Sequence, residues 1–156
     1  MKNIKIISIL FLLILFSSCG FKAVTTKNNH LIYLQNIKVI GEPKIAYSLK
    51  NNISIISSKD SKNRYDAKVK IEKKKSVKIK DVAGKIKRNS LTISANLELT
   101  NLDTNQKIRK TFSKNADYDV SAIHSDTISA ENKAVKNITQ QISDDILNFI
   151  YLNMRK

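Results

Sequence analysis

The chain has 156 residues, a formal net charge of +15 and one cysteine, Cys19. This length suits one compact domain, and a lone cysteine excludes an internal disulfide, so the fold must depend on its apolar core. So positive a charge predicts an anionic partner, such as nucleic acid, acidic lipid or an acidic protein surface. The chain is also rich in Asn and Ile, so a compositional bias of the genome is an alternative source of many lysines.

The N-terminal segment has the pattern of an export signal. Lys2 and Lys5 precede an apolar run over residues 6–16, and two serines separate that run from Cys19. As a helix the run rises only about 16 Å, against about 30 Å of bilayer hydrocarbon, so it is too short to span a membrane. Export argues against nucleic acid as the partner.

A cysteine directly after such a site is typical of a bacterial lipoprotein. We predict a signal peptide over residues 1–18, with an S-diacylglycerol and an N-acyl group on Cys19; an ordinary signal peptide with an incidental cysteine is the alternative. Several acyl chains hold a protein stably at a membrane. Gly20, where Asp commonly retains lipoproteins in the inner membrane, favours the periplasmic side of the outer membrane.

The first predicted elements of the mature chain are a lipidated tether, a strand and a helix. Residues 19–36 are polar and mixed, which indicates the tether. The apolar run Ile37–Ile40 ends at Gly41-Glu42-Pro43, which predicts a short strand and a turn. Apolar residues at spacings of four and three over Tyr47–Ile56 predict a helix.

Three strands and a long helix follow. Apolar and polar residues alternate over Ala67–Ile79 and Leu91–Leu99, and more weakly over Ile108–Val120, which predicts strands with one solvated face. Asp81 to Arg88, with Gly84, joins the first two strands. Asp103-Thr104-Asn105 joins the second and third as a tight turn, in which Asn105 is able to take a left-handed conformation.

The final helix is predicted from about Ser129 to Met154, because Ala134, Ile138, Ile142, Ile146 and Ile150 recur every four residues. Asp126, Thr127 and Ser129 supply capping oxygens, and Glu131 suits the first turn.

The order strand-helix-strand-strand-strand-helix predicts an α+β two-layer sandwich over residues 37–156. In it, two helices cover one face of a mainly antiparallel four-stranded sheet, and the other face is polar.

Residues for catalysis or for a cofactor are sparse. His30 and His124 lack companion ligands, the chain has three glycines and no phosphate-binding loop, and no serine has a nucleophile motif. We interpret Asp144-Asp145 and the pair Asp117 and Asp119 as solvated residues rather than acid–base pairs. The prediction is a protein that is not an enzyme and that has no metal or cofactor.

The basic stretch Lys68–Arg88 is the strongest candidate for a binding site. On a strand its even-numbered lysines share one face, and the following turn adds further cations. Clustered cations suit phosphate or carboxylate groups of a glycolipid, whereas the lack of interleaved aromatic residues disfavours nucleic acid. A solvated edge protected by lysine is the alternative. The candidate binding residues are Lys78, Lys80, Lys85, Lys87 and Arg88.

Several short motifs together resemble the family of the lipopolysaccharide-assembly lipoprotein LptE. Glu131 and Ala134 in the final helix fit this resemblance. The other residues that carry it are Cys19-Gly20-Phe21, Arg64-Tyr65-Asp66-Ala67, Leu97-Glu98-Leu99-Thr100-Asn101-Leu102-Asp103-Thr104-Asn105 and Tyr118-Asp119-Val120-Ser121. The resemblance implies two helices on a mainly antiparallel sheet. It also implies a protein that plugs and helps to assemble the LptD β-barrel and binds lipopolysaccharide during its delivery to the outer leaflet, with lipid A phosphates as the contact.

Two other functions stay open at the level of sequence. One is an unrelated outer-membrane lipoprotein that binds an acidic envelope polymer such as peptidoglycan. The other is an exported enzyme with an unrecognised site.

Overall fold

The computed structural model describes residues 32–154, and its elements confirm the predicted α+β class and element order. They are β1 (Tyr33–Ile40), α1 (Pro43–Ser54), β2 (Arg64–Lys80), β3 (Ile86–Asn101), β4 (Lys107–Asp119) and α2 (His124–Met154). The predicted signal peptide, the lipidation of Cys19 and most of the tether lie outside the described residues.

The sheet has the order β1-β2-β3-β4 and is mostly antiparallel, as predicted. β1 pairs with β2 in parallel from Tyr33 opposite Arg64 to Ile40 opposite Lys70, and the two other pairs are antiparallel. Since the pairing of β1 with β2 ends at Lys70, residues 71–80 of β2 form an edge of the described sheet. β1 pairs only with the first half of β2, and residues 71–80 extend beyond it.

The elements begin earlier than the sequence predicts. β1 starts at Tyr33 rather than Ile37, because Leu34 is buried and Tyr33 pairs with Arg64, so four residues assigned to the tether belong to the sheet. α1 starts at Pro43, where a proline is well tolerated because a first-turn N–H has no helical acceptor.

The long helix also starts earlier than predicted, at His124 rather than near Ser129. Asp126 lies in its first turn, and the Thr127 hydroxyl accepts a hydrogen bond from the backbone N–H of Ser121 (2.9 Å), so this residue ties the helix to the preceding loop.

One face of the sheet and the two helices enclose the core. The four-residue apolar repeat of α2 is buried, as predicted, and α1 adds Ile45, Leu49 and Ile53. The largest fully buried side chains are Ile32, Leu49, Ile53, Val69, Leu91, Ile93, Leu97, Leu99, Ile138, Ile142, Ile146 and Ile150. A polar contact joins the helices, because Asn52 Nδ2 donates to the buried Ser143 Oγ at 3.0 Å.

The two hairpins end in different turns. Asn105 has a φ of 56°, which confirms the left-handed conformation predicted for the β3–β4 turn. The β2–β3 connection, with Gly84 at a φ of 81°, lies at the far end of β2 from the start of β1. The described part of the chain therefore places Ile32 and the β2–β3 connection at opposite ends of a strand about 50 Å long.

Candidate functional site

The predicted binding residues lie at the far end of the β2–β3 hairpin, which we define as residues 77–88 and call the hairpin end. Every residue of β2 from Glu72 to Lys80 is exposed. Register shifts at Val77, Ile79 and Lys80 twist the pairing with β3 here. The hairpin end thus projects past the part of the sheet that β1 covers.

Asp81 holds the loop at the hairpin end in a defined shape. Its Oδ1 accepts hydrogen bonds from the backbone N–H groups of Ala83 (3.1 Å) and Lys85 (2.9 Å). Its own N–H donates to the Lys85 carbonyl, and Gly84 N–H donates to the Asp81 carbonyl, both at 2.9 Å. The hydrogen bond from Lys85 N–H is the main reason that the pKa of Asp81 lies below its ordinary value. The carboxylate therefore organises the loop.

Carboxylates partly neutralise three of the five predicted cations. Lys78 is ion-paired and hydrogen-bonded to Asp117. Arg88 Nε lies 2.7 Å from Asp119 Oδ1. Asp117 and Asp119, interpreted from the sequence as merely solvated, thus carry specific contacts. The hydrogen bond from Lys78 lowers the pKa of Asp117, and the hydrogen bond to Asp119 raises the pKa of Arg88.

Of the other three predicted cations, one lies within ion-pair distance of a carboxylate and two do not. Lys87 Nζ lies 3.5 Å from Asp81 Oδ2, within ion-pair distance. Lys80 and Lys85 form no ion pair with any carboxylate of residues 32–154. Five cations therefore face three carboxylates, and the unneutralised charge sits on the two lysines that flank the loop.

A second set of charges, which the sequence analysis missed, closes the core beside the hairpin end. Glu131 of α2 accepts hydrogen bonds on Oε2 from Tyr118 Oη (2.7 Å) and Lys75 Nζ (2.9 Å). Lys73 Nζ lies 2.6 Å from Glu42 Oε2 and 3.9 Å from Glu131 Oε1. Lys75 Nζ also lies 5.3 Å from the centre of the Tyr118 ring. These five residues form what we call the polar closure.

The polar closure shifts the titration of its members. The pKa of Glu131 is lowered, first by the hydrogen bond from Tyr118 and then by Lys75. The pKa of Lys75 is raised, first by its contact with Tyr118 and then by Glu131. Both groups are therefore held in their charged forms. Lys73 and Lys75 occupy odd positions where the alternation of β2 would place apolar residues, and this was the signal available in the sequence.

A smaller basic region lies on the open face of the sheet, near the start of β2. Lys38 of β1 is directly opposite Lys68 of β2, and both line a groove of about 830 Å³. Glu98, which is opposite Lys68 on β3, is instead ion-paired with Arg109 (2.6 Å) and Lys107 (3.5 Å). Ten residues of β2 separate Lys68 from Lys78, or about 33 Å. The two basic regions are therefore distinct.

Residues 32–154 contain neither a cluster of metal-binding side chains nor a helix suited to cross a membrane. That range holds no group of three or more His, Cys, Asp or Glu side chains placed to bind a metal ion. His124 begins α2, whereas His30 lies outside the described range. Neither of the described helices combines the length and the apolar character that crossing a membrane requires.

Comparisons with known proteins support the fold. No protein-family model matches the chain, and no curated protein matches its sequence. Rare lipoprotein B from Shewanella oneidensis has a similar structure, with a TM-score of 0.60 and 11% identity over 78% of this chain and 99% of that one. A Caulobacter crescentus protein described as a lipoprotein gives a TM-score of 0.55 and 14% identity over 77% and 92%. These likenesses show that the described domain shares the fold of these two proteins, and at such identities they concern the fold alone.

Proposed function

We propose that this chain is a lipid-anchored protein of the outer membrane that plugs and helps to assemble an LptD-like β-barrel and binds lipopolysaccharide during its delivery to the outer leaflet. The lipid on Cys19 holds it on the periplasmic side. The proposal assigns binding rather than catalysis to the domain, and neither a metal nor a cofactor takes part. Its fold, shared with lipoproteins of two bacteria, supports this assignment.

The shape and charge of the hairpin end carry the proposal. The loop is fixed by the Asp81 hydrogen bonds, so Lys80 and Lys85 are presented on a rigid support rather than on a flexible segment. A preorganised pair of unneutralised cations suits the phosphates of lipid A, because less conformational freedom is lost on binding. Lys78, Lys87 and Arg88 add contacts that compete with their own carboxylates.

The experiment that tests glycolipid binding removes the two unneutralised charges. We expect Lys80→Ser with Lys85→Ser to weaken the affinity of the full-length protein for lipopolysaccharide about tenfold or more at low salt, and much less at high salt, where charges are screened. Lys38→Ser with Lys68→Ser is the matched control, since it removes the same charge at the other basic region. Equal losses for both pairs would mean that net charge, not the hairpin end, attracts the ligand.

The experiment that tests the barrel partner is affinity purification of the lipidated protein from membranes. We expect a β-barrel of outer-membrane size to be retained. Retention of peptidoglycan without such a barrel would favour the acidic-polymer alternative and would overturn the plug.

A further inference from the structure

The end of the domain opposite the hairpin end carries exposed apolar side chains of its own. Ile55, directly after α1, is 71% exposed, and Leu152, in the last turn of α2, is 72% exposed. Tyr151 beside it is 40% exposed. We call Ile32, the α1–β2 connection (residues 55–63) and residues 151–154 the anchor end. Single exposed apolar residues are ordinary, but a patch of them indicates a contact surface.

The packing of the helices brings these side chains to one end of the helix layer. The first turn of α1 shares a groove with residues 132–136 of α2, whereas Asn52 near the end of α1 donates to Ser143 Oγ at 3.0 Å. The two helices therefore run in the same direction. Ile55 lies just beyond Asn52, and Tyr151 lies roughly two turns beyond Ser143 on the same face of α2. Both helices thus end in exposed apolar side chains at the anchor end.

The described chain also begins at this end of the domain. Ile32 forms a β-bridge with Ser57, and the backbone N–H of Ser58 donates to the Ile32 carbonyl at 3.0 Å. Residues 20–31 separate Ile32 from Cys19, a reach of at most about 45 Å when extended. The proposed lipid on Cys19 therefore keeps the anchor end within that distance of the leaflet, while the hairpin end can lie about 50 Å further away.

Cations without an ion-pair partner lie beside the apolar side chains. Lys59 and Lys62 are exposed on the α1–β2 connection and form no ion pair with a carboxylate of residues 32–154. The carboxylate between them, Asp60, accepts a hydrogen bond from the Ser58 hydroxyl (3.4 Å). The sequence adds an arginine and a lysine directly after α2. Apolar side chains beside cations are typical of a surface that lies on an anionic membrane.

Resting on the proposed lipid anchor, we propose that the anchor end docks on an anionic phospholipid leaflet before the chain enters a barrel. Ile55, Tyr151 and Leu152 enter the headgroup region, and Lys59 and Lys62 contact lipid phosphates. Tyrosine suits this depth, because its ring is apolar and its hydroxyl is polar. The acyl chains already hold the protein at the membrane. Docking therefore adds a fixed orientation, in which the hairpin end points away from the leaflet.

The test uses the absence of tryptophan from the chain. Leu152→Trp reports on the anchor end alone, and Val82→Trp, at a fully exposed position in the hairpin end, is the matched control. Each lipidated protein is reconstituted into vesicles of phosphatidylglycerol and phosphatidylcholine with brominated acyl chains, which quench a tryptophan only at short range. We expect the fluorescence of Leu152→Trp to be blue-shifted and strongly quenched, and that of Val82→Trp to be neither.

Substitutions beside the reporter show which side chains make the contact. In the Leu152→Trp protein, Ile55→Ser should shift the balance between docked and undocked forms about tenfold towards undocked, the value of burying an isoleucine side chain, so most of the quenching is lost. Tyr47→Ser is the control, since Tyr47 is also 71% exposed but lies in the first half of α1. High salt should weaken the quenching. Equal quenching in vesicles without phosphatidylglycerol would overturn the lysine–phosphate contacts.

The same measurements separate the docking from the lipid anchor. If the wild type floats with the vesicles but Leu152→Trp is neither shifted nor quenched, the tether holds the domain away from the leaflet; the docking is then wrong while the anchor stands. A blue-shifted but unquenched Leu152→Trp would show that the tether itself covers the anchor end, and stronger quenching of Val82→Trp would show that the hairpin end docks instead. A wild type that does not float with the vesicles would contradict the lipid anchor itself.

Discussion

Replacing Glu131 with Gln tests how much the polar closure contributes to stability. Gln keeps the size of the side chain and an oxygen that accepts from Tyr118, but it removes the negative charge that faces Lys75 at 2.9 Å and Lys73 at 3.9 Å. The side chains of Glu131, Lys73 and Lys75 are 26%, 28% and 47% exposed, so solvent screens these pairs in part. Exposed pairs contribute about 0.2–1 kcal/mol each, and we expect a loss of about 1–2 kcal/mol at neutral pH.

The assay is thermal unfolding of the full-length protein as a function of pH. For a domain of this size a loss of 1 kcal/mol lowers Tm by roughly 3–6 °C. The pKa of Glu131 is lowered in the folded state, so its carboxylate stabilises the fold above its ordinary pKa of 4.5 and this contribution is lost as the pH falls through the lowered pKa. Lys75, whose pKa is raised, stays charged across the neutral range. The difference between wild type and variant should therefore be full near neutrality and shrink in acid.

Glu72→Gln is the control for this experiment. Glu72 also has an ion pair, with Lys70 at 3.1 Å, but the two side chains are 45% and 63% exposed on a solvated strand. We expect Glu72→Gln to change the unfolding free energy by less than about 0.5 kcal/mol. A Glu131→Gln protein as stable as wild type at neutral pH and low salt, or a deficit that does not shrink in acid, would refute the reasoning.

Three further substitutions test other parts of the chain. Gly41→Ala should lower the free energy of unfolding in urea by about 3 kcal/mol, because Gly41 has a φ of 149° and a Cβ there would lie 2.7 Å from Ile71 Cβ; an unchanged denaturation midpoint would contradict this. Asp81→Ala should speed amide exchange at Ala83 and Lys85, whose N–H groups lose their acceptor, while exchange in α2 stays the same. Cys19→Ala should release the protein from membranes and leave its circular dichroism unchanged; an unfolded soluble variant would contradict a role restricted to anchoring.

Much of the fold was predictable because its elements have clear periodicity. Apolar residues alternate with polar ones in β2 and β3 and recur every four residues in α2, and these patterns indicate which side chains face the core. In a strand, a one-residue shift of register would turn the apolar side chains to solvent. The element boundaries were not predictable in the same way. The start of β1 depends on pairing with Arg64 of β2, a partner some thirty residues away, and no local pattern in residues 33–36 records that contact.

The candidate site was predicted only as a set of charges. The cations can be read from one stretch of the sequence. Which of them lie beside a carboxylate depends on the pairing of β3 with β4, which puts Asp119 opposite Arg88 and Asp117 opposite Ser90. Those pairings bring carboxylates to Lys78 and Arg88, and Asp81 lies within ion-pair distance of Lys87, so Lys80 and Lys85 are the two of the five cations without a carboxylate partner among the described residues. Likewise, Lys73 and Lys75 break the alternation of β2 in a visible way, but Glu42 and Glu131 become their partners only once α1 and α2 are packed.

The length of β2 leads to a last prediction, on orientation. Arg64, near the start of the described chain, and Lys85 in the hairpin end lie about 50 Å apart along β2, which exceeds the roughly 30 Å of bilayer hydrocarbon. An upright domain that is anchored at the inner leaflet inside a barrel would therefore place the hairpin end at the outer surface. Cys19 is the single cysteine, and the proposed diacylglycerol blocks its sulfur, so an introduced cysteine supplies the one free thiol. We expect a membrane-impermeant maleimide to label Lys85→Cys in intact cells, and Lys59→Cys, in the α1–β2 connection near Ile32, only after the outer membrane is permeabilised. The reverse pattern would show that the hairpin end faces the periplasm, and the upright orientation would be wrong.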